Sequence, residues 1–202
     1  MTAAVPFFGA ERGTSGRAEH LTTMAKEQIA VFGGGCFWCI EAIFQRLTGV
    51  SHVESGYMGG QVDNPTYRQV CGGDTGHVEV VRVTFDPDEI SYRELLDVFF
   101  TVHDPTTLNR QGNDAGEQYR SVIFYTDEEH QRIAEDVIAE MTAAKVFSEP
   151  IVTAVEPASK FYVAEDYHQN YFNENSRQPY CMFVISPKLA KFEKKFAEKM
   201  RA

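Results

Sequence analysis

The sequence predicts an α/β (α+β) fold: a two-layer α/β sandwich of the split βαβ (ferredoxin-like) type, with a mixed sheet and a long C-terminal coil. Three observations carry this. Short apolar runs alternate with stretches whose apolar residues recur at helical spacing, so strands and helices interleave. These elements follow one another as β-α-β and β-α units. Finally, 202 residues at 43% hydrophobic and 12% aromatic content bury one sizeable core, with no internal repeat or linker to divide it.

Residues 29–32 form the first strand. A helix follows to about residue 47, with Phe37, Ile40, Ile43, Phe44 and Leu47 on one side and Gly49 to stop it. Residues 50–57 form a second strand. Gly59-Gly60 through Asn64-Pro65 is loop chemistry, with Thr66 as a helix cap. Residues 77–85 make the clearest strand of all. Ser91 and Glu94 form a capping box for a helix over 92–102 that packs through Leu95, Leu96, Phe99 and Phe100. Asp104-Pro105 ends it. The polar segment 104–118 reads as a site-forming loop; a strand over 119–125, a helix over 127–145 and a strand over 151–155 follow. Residues 165–180 open with a short helix, 166–172, and continue as a mobile arm toward Cys181. In the last segment Leu189, Phe192 and Phe196 recur at helical spacing among lysines, which predicts a surface helix.

Composition narrows the function. A net charge of −10 argues against nucleic acid or anionic membrane as partner, and no apolar run is long enough to span a bilayer. Residues 1–28 read as a disordered extension without the apolar core of a secretion signal, and 29–202 as a single domain. Met24 is a candidate alternative start. Four cysteines, at 36, 39, 71 and 181, are too few for a disulfide scaffold; a reducing, cytoplasmic setting fits, and a monomer is the default expectation.

Chemistry concentrates in Gly33-Gly34-Gly35-Cys36-Phe37-Trp38-Cys39. A cysteine between a strand and a helix start meets unpaired N–H groups and the positive end of the helix dipole, which predicts a lowered Cys36 pKa and a nucleophilic thiolate. The glycines permit a tight turn and leave space before the sulfur. Cys39 lies on the same helix face and reads three ways: a resolving thiol, a metal ligand with Cys36, or a small packed residue. A zinc site needs two further ligands at motif spacing, and none is present, so no metal is expected. Alternation places Glu79 in line with Val81, Val83 and Phe85, on a face that is buried; burial raises a carboxyl pKa and fits it for general acid work. Tyr67, Asp114 and Tyr119 come from segments joining regular elements, where phenol and carboxyl groups can hydrogen-bond a polar ligand.

GGGCFWCIE, GYMGG with NPTYRQVC, DTGHVEVV and HDPTTLNRQGNDAGEQYRS, in this order over about residues 29–181, resemble the A-type peptide methionine sulfoxide reductases. The resemblance implies a catalytic domain that reduces the S-epimer of methionine sulfoxide, in oxidised proteins and as the free amino acid, with no bound cofactor. Cys36 matches the family nucleophile, Phe37 and Trp38 the wall for the substrate methyl group, and Glu79 the proton donor. Tyr67 and Tyr119 match hydroxyls around the sulfoxide oxygen, and Asp114 the group that holds the substrate main chain or an ordered water. Cys36 would end as a sulfenic acid, a second thiol would close a disulfide, and thioredoxin would reduce it. Cys181, in QPYC, lies where the family places a resolving cysteine and is the favoured first resolver. Cys39, glycine in many relatives, is the alternative or a second relay, and Cys71 is expected to be structural. Two rival readings are a thioredoxin-like C-x-x-C disulfide oxidoreductase and a non-catalytic module binding oxidised methionine.

Overall fold

The computed structural model describes residues 27–201; the expected extension and Met24 lie almost wholly outside them. Within this range the chain runs β1 (Gln28–Gly33), α1 (Phe37–Phe44), β2 (Val50–Met58), α2 (Tyr67–Gly72), β3 (Val78–Phe85) and α3 (Tyr92–Val102). A small hairpin follows, β4 (Arg110–Gln111) with β5 (Asp114–Ala115), then β6 (Val122–Tyr125), α4 (Glu128–Ala143), β7 (Ala154–Pro157) and β8 (Tyr162–Val163). The chain closes with α5 (Tyr171–Asn175), a π turn (Cys181–Ile185) and α6 (Ser186–Lys195).

The main sheet has the order β7-β6-β1-β3-β2-β8. Its β6-β1-β3-β2 centre, antiparallel throughout, is the split βαβ arrangement, and β7 joins β6 in parallel, which makes the sheet mixed. Period-two alternation sorts the two faces. Ala30, Phe32, Val81, Val83 and Phe85 face the helices, where Phe32 stacks on Phe44 at 5.4 Å and on Phe99 at 5.0 Å between ring centroids. Val31, Val78, Val80, Val122 and Phe124 form the opposite face, covered by Ala154 and Phe161.

The expected capping box of Ser91 with Glu94 forms, and Thr66, expected as a cap, forms one as well with Gln69. Several boundaries shift, each with a local cause. α1 stops at Phe44 because Arg46 and Leu47 donate to carbonyls three residues back, tightening the last turn. β6 starts at Val122 because residues 117–119 wind into a 3-10 turn. β7 starts at Ala154 because the Val152 N–H is taken by the Pro105 carbonyl outside the sheet. The expected helix over 166–172 breaks at Asn170, in the left-handed region at φ 53°. The C-terminal coil gives way at Cys181 to the π turn and α6, which buries Leu189 and Phe192 as the lysine-rich pattern predicts.

The segment expected as a mobile arm is bonded down along its first half. Glu41, on α1, accepts from the backbone N–H groups of Asn170 (2.9 Å) and Tyr171 (3.2 Å). Gln169 bonds both the N–H and the C=O of Ser55 on β2. These contacts seat residues 165–181 across the N-terminal end of α1.

Candidate active site

Cys36 is the N-cap residue of α1, at φ −58° and ψ 122°, and no side chain caps the helix from that position. The capping role passes to β3: the Phe37 N–H donates to Glu79 Oε2 at 3.1 Å. Glu79 is 1% exposed and Cys36 8% exposed, so nucleophile candidate and acid candidate share one buried corner, with α1 directly above β3. Burial dominates the Glu79 carboxyl, and Asp114 and Cys39 add repulsion; the helix N–H lowers the pKa only in part, and the net result is about 8.

Expected and observed electrostatics part at Cys36. Burial pushes its thiol well above the usual range, and Cys39 and Glu79 push the same way, so the helix start does not deliver the expected thiolate there. Cys39 moves the other way. Hydrogen bonding from the Cys36 thiol, helped by the Lys188 ammonium and the Tyr180 hydroxyl, outweighs burial and lowers it to about 7. Of the two thiols, Cys39 is the one its surroundings push toward the charged form.

The glycines do more than the expected turn requires. A Cβ on Gly34 would lie 2.8 Å from Phe99, and one on Gly35, at φ +94°, would lie 2.5 Å from Gln111. The triple glycine makes the expected tight turn, with positive φ at Gly35, and it also lets α3 and the 104–118 loop press against that turn. Gln111 in turn accepts from the Asp104 N–H at 2.9 Å and donates to its C=O at 3.0 Å, fixing that loop.

The loop does supply site residues. Asp114 sits on β5, and its Oδ2 accepts from the Tyr180 hydroxyl at 2.8 Å. Tyr119 ends the 3-10 turn and Tyr67 begins α2. Burial, then the Tyr67–Cys71 hydrogen bond and the nearby Glu79 charge, push the Tyr67 phenol up; burial and Glu79 do the same at Tyr119. Both hydroxyls therefore stay protonated, within the field of Glu79. Phe37 is buried against Tyr57 and His168, while the half-buried Trp38 stacks on Tyr171 at 3.7 Å and donates its indole N–H to His168 Nδ1 at 3.1 Å.

Cys181 opens the π turn, fully buried. It lies within the field of Cys39, but the neighbouring Tyr180 reaches the cysteine pair first, with its hydroxyl 3.9 Å from Cys39 Sγ. Cys71, expected as a structural residue, is exposed on α2 beside the Tyr67 hydroxyl. Sequence reasoning missed His168, Tyr180 and Lys188. The dense run Asp166-Tyr167-His168-Gln169-Asn170-Tyr171 was the available signal, since a loop so rich in aromatic and polar groups has little reason to be only a tether. Among the described residues no helix is long and apolar enough to cross a membrane, and no group of three or more His, Cys, Asp or Glu side chains is placed to hold a metal ion.

Comparison with known proteins adds lineage to this geometry. Residues 28–200 match the family model described as "Peptide methionine sulfoxide reductase". Peptide methionine sulfoxide reductase MsrA of Deinococcus radiodurans is 59% identical over 177 residues, covering 88% of this chain and 86% of the relative. MsrA of Chromobacterium violaceum is 60% identical over 168 residues, covering 83% and 96%. Among solved structures, reduced Mxr1 from Saccharomyces cerevisiae superposes with a TM-score of 0.71 at 35% identity, covering 78% of this chain and 91% of that one. Mxr1 has also been solved in complex with Trx2, with a TM-score of 0.50 at 25% identity, covering 73% and 86%. With a cysteine and a buried carboxyl sharing the corner where the four motif segments meet, and with relatives of this identity spanning nearly the whole domain, the chain belongs to the A-type peptide methionine sulfoxide reductases, enzymes that reduce methionine sulfoxide.

Proposed function

We propose that the enzyme reduces the S-epimer of methionine sulfoxide, protein-bound and free, through attack by Cys36 with Glu79 as proton donor. The single observation that supports this most is the Glu79 carboxyl, buried at the start of α1 and kept protonated up to a pH of about 8. A sulfoxide oxygen leaves only once protonated, so attack on sulfur needs an acid on the oxygen side. Cys36 Sγ forms a bond to the substrate sulfur as Glu79 protonates the oxygen; the S–O bond and the new S–S bond then break as the hydroxyl moves to Cys36 Sγ, so Cys36 is oxidised to a sulfenic acid and the substrate is reduced and leaves as methionine. The Cys36 proton has a route out, because the neighbouring Cys39 sulfur is the one pushed toward the charged form and can accept it. Tyr67 and Tyr119 donate to the oxygen as charge builds on it. Phe37 and Trp38 take the methyl group opposite, which selects one hand at the chiral sulfur. Asp114 holds the substrate main chain once Tyr180 releases it.

Sequence pattern favours Cys181 as first resolver; electrostatics favour Cys39, which lies in the field of Cys36 one helical turn away and is pushed toward the charged form, while burial pushes the Cys181 thiol up. In this reading Cys39 closes the first disulfide and Cys181 serves as a relay. A thioredoxin is the reductant, supported by the Mxr1–Trx2 complex, and no bound cofactor takes part. A monomer in the reducing cytoplasm fits a cycle that runs on free thiols.

The test is turnover of the two purified sulfoxide epimers, with methionine measured by chromatography. Cys36→Ser should yield none and the R-epimer should be untouched. Equal reduction of both epimers, or wild-type rates in Glu79→Gln, would overturn the mechanism. Insulin disulfide reduction without methionine formation would favour the dithiol oxidoreductase instead.

A further inference from the structure

The lysine-rich C-terminus contains one residue that a surface helix does not account for. Lys188 lies half-buried near the start of α6, between Pro187 and the buried Leu189, and its Nζ donates to Cys39 Sγ at 3.9 Å. Leu189 and Phe192 anchor the helix, so the ammonium is delivered to the sulfur by a packed element and not by a free tail.

We propose that Lys188 is a positioning residue that holds the Cys39 sulfur as a thiolate and thereby makes Cys39 the thiol that closes on the Cys36 sulfenic acid. The second half rests on the reductase reading above; the first does not. The groups facing Cys39 are the Cys36 thiol from α1, the Tyr180 hydroxyl and Cys181 from the C-terminal segment, Asp114 from the hairpin, Glu79 from β3 and Lys188 from α6. Lys188 is the one cation among them. Together with the Cys36 thiol and the Tyr180 hydroxyl, it opposes the burial and the Asp114 charge that push the sulfur toward its protonated form.

In the resolving step Cys39 gives up the proton it took from Cys36, which passes to the leaving hydroxyl group, and the thiolate so restored attacks Cys36 Sγ. An S–S bond forms, the S–OH bond breaks, and the departing hydroxide takes that proton to become water. Cys39 is oxidised and the Cys36 sulfenic sulfur is reduced, so no outside oxidant is involved.

The experiment is alkylation of the reduced full chain across the neutral and alkaline range, with peptide mapping to give the rate at each cysteine. Cys39 should titrate near neutrality in the wild type. In Lys188→Met its midpoint should rise by about one unit or more, the range expected for losing a unit charge at this distance near a protein surface. Lys188→Arg should restore most of the shift. An unchanged midpoint in Lys188→Met, a uniform slowing at every pH, or a neutral midpoint at Cys36 would each overturn the proposal. After one equivalent of sulfoxide, a 36–39 disulfide supports the assignment of Cys39 and a 36–181 disulfide overturns it. Failure to form methionine at all would sink the reductase reading alone, since the alkylation midpoints still decide whether Lys188 holds the thiolate.

Discussion

Replacing Glu79 by glutamine should stabilise the fold at neutral pH while removing most of the activity. Burial raises the Glu79 pKa from 4.5 to about 8 in the folded chain. Below the unfolded value both states hold the proton and the residue has no effect. Between the two values the unfolded chain ionises and the folded one does not, so stability falls as pH rises, by about 1.4 kcal/mol per unit. At pH 7 the accumulated cost is about 3 kcal/mol, and it levels off once pH passes the folded value. Glutamine has no proton to lose, and its amide oxygen can still accept from the Phe37 N–H now held at 3.1 Å. The gap between variant and wild type should therefore open from near zero in mild acid to about 3 kcal/mol at neutrality. Urea unfolding followed through the fluorescence of Trp38, the chain's single tryptophan, measures it at each pH. Methionine formation in the same samples should drop by about a hundredfold or more, the usual contribution of a general acid. A stability gap that is the same in mild acid and at pH 8 would refute the reasoning, because it would mean that folding leaves this carboxyl's pKa unchanged.

Three further outcomes follow from the geometry. Gly35→Ala places a Cβ 2.5 Å from Gln111, whose amide is clamped by Asp104, and strains a backbone at φ +94°; calorimetry should show a loss of about 2–4 kcal/mol. His168→Phe keeps a ring beside Phe37 but leaves the Trp38 N–H without its acceptor, so KM for sulfoxide should rise about tenfold, with a smaller change in kcat, in steady-state assays. Glu41→Gln removes a buried carboxyl whose pKa burial raises to about 7; above that pH, where the wild-type carboxylate accepts from Asn170 and Tyr171, protease nicking of residues 170–180 should become faster in the variant than in the wild type.

The acid half of the site was legible because period-two alternation is local: once residues 77–85 are a strand, Glu79 must share a face with Val81, Val83 and Phe85. The position of Cys36 at a strand-to-helix junction was legible for the same reason. The charge state of its sulfur was not. It depends first on burial that no local pattern encodes, then on Cys39 and Glu79, and on Tyr180, which arrives from more than 140 residues away. Strand ends at β6 and β7 were misplaced where a backbone group found a partner outside the sheet, as the Val152 N–H does with the Pro105 carbonyl. The tight turn at the glycines was legible, but their second role was not, since the atoms they also make room for, on Phe99 and Gln111, are distant in sequence.

Residues 165–188 bind these two halves together. Glu165 accepts from the Tyr67 N–H at 2.9 Å and from the Tyr57 hydroxyl at 2.8 Å, fixing Tyr67, the proposed oxygen ligand. His168 and Tyr171 hold Trp38, proposed for the methyl side. Tyr180 and Lys188 reach the sulfur of Cys39. One continuous stretch of chain therefore touches Trp38, Tyr67 and Cys39. For substrate to meet Cys36, now 8% exposed, the Tyr180 end must give way, while the Glu41 and Gln169 clamps keep the His168 end in place. A segment clamped at its start by Glu41 and Gln169 and held at its far end only by a phenol and an ammonium is built to open, in the proposed cycle, over the thiols first and to leave the Trp38 contacts in place.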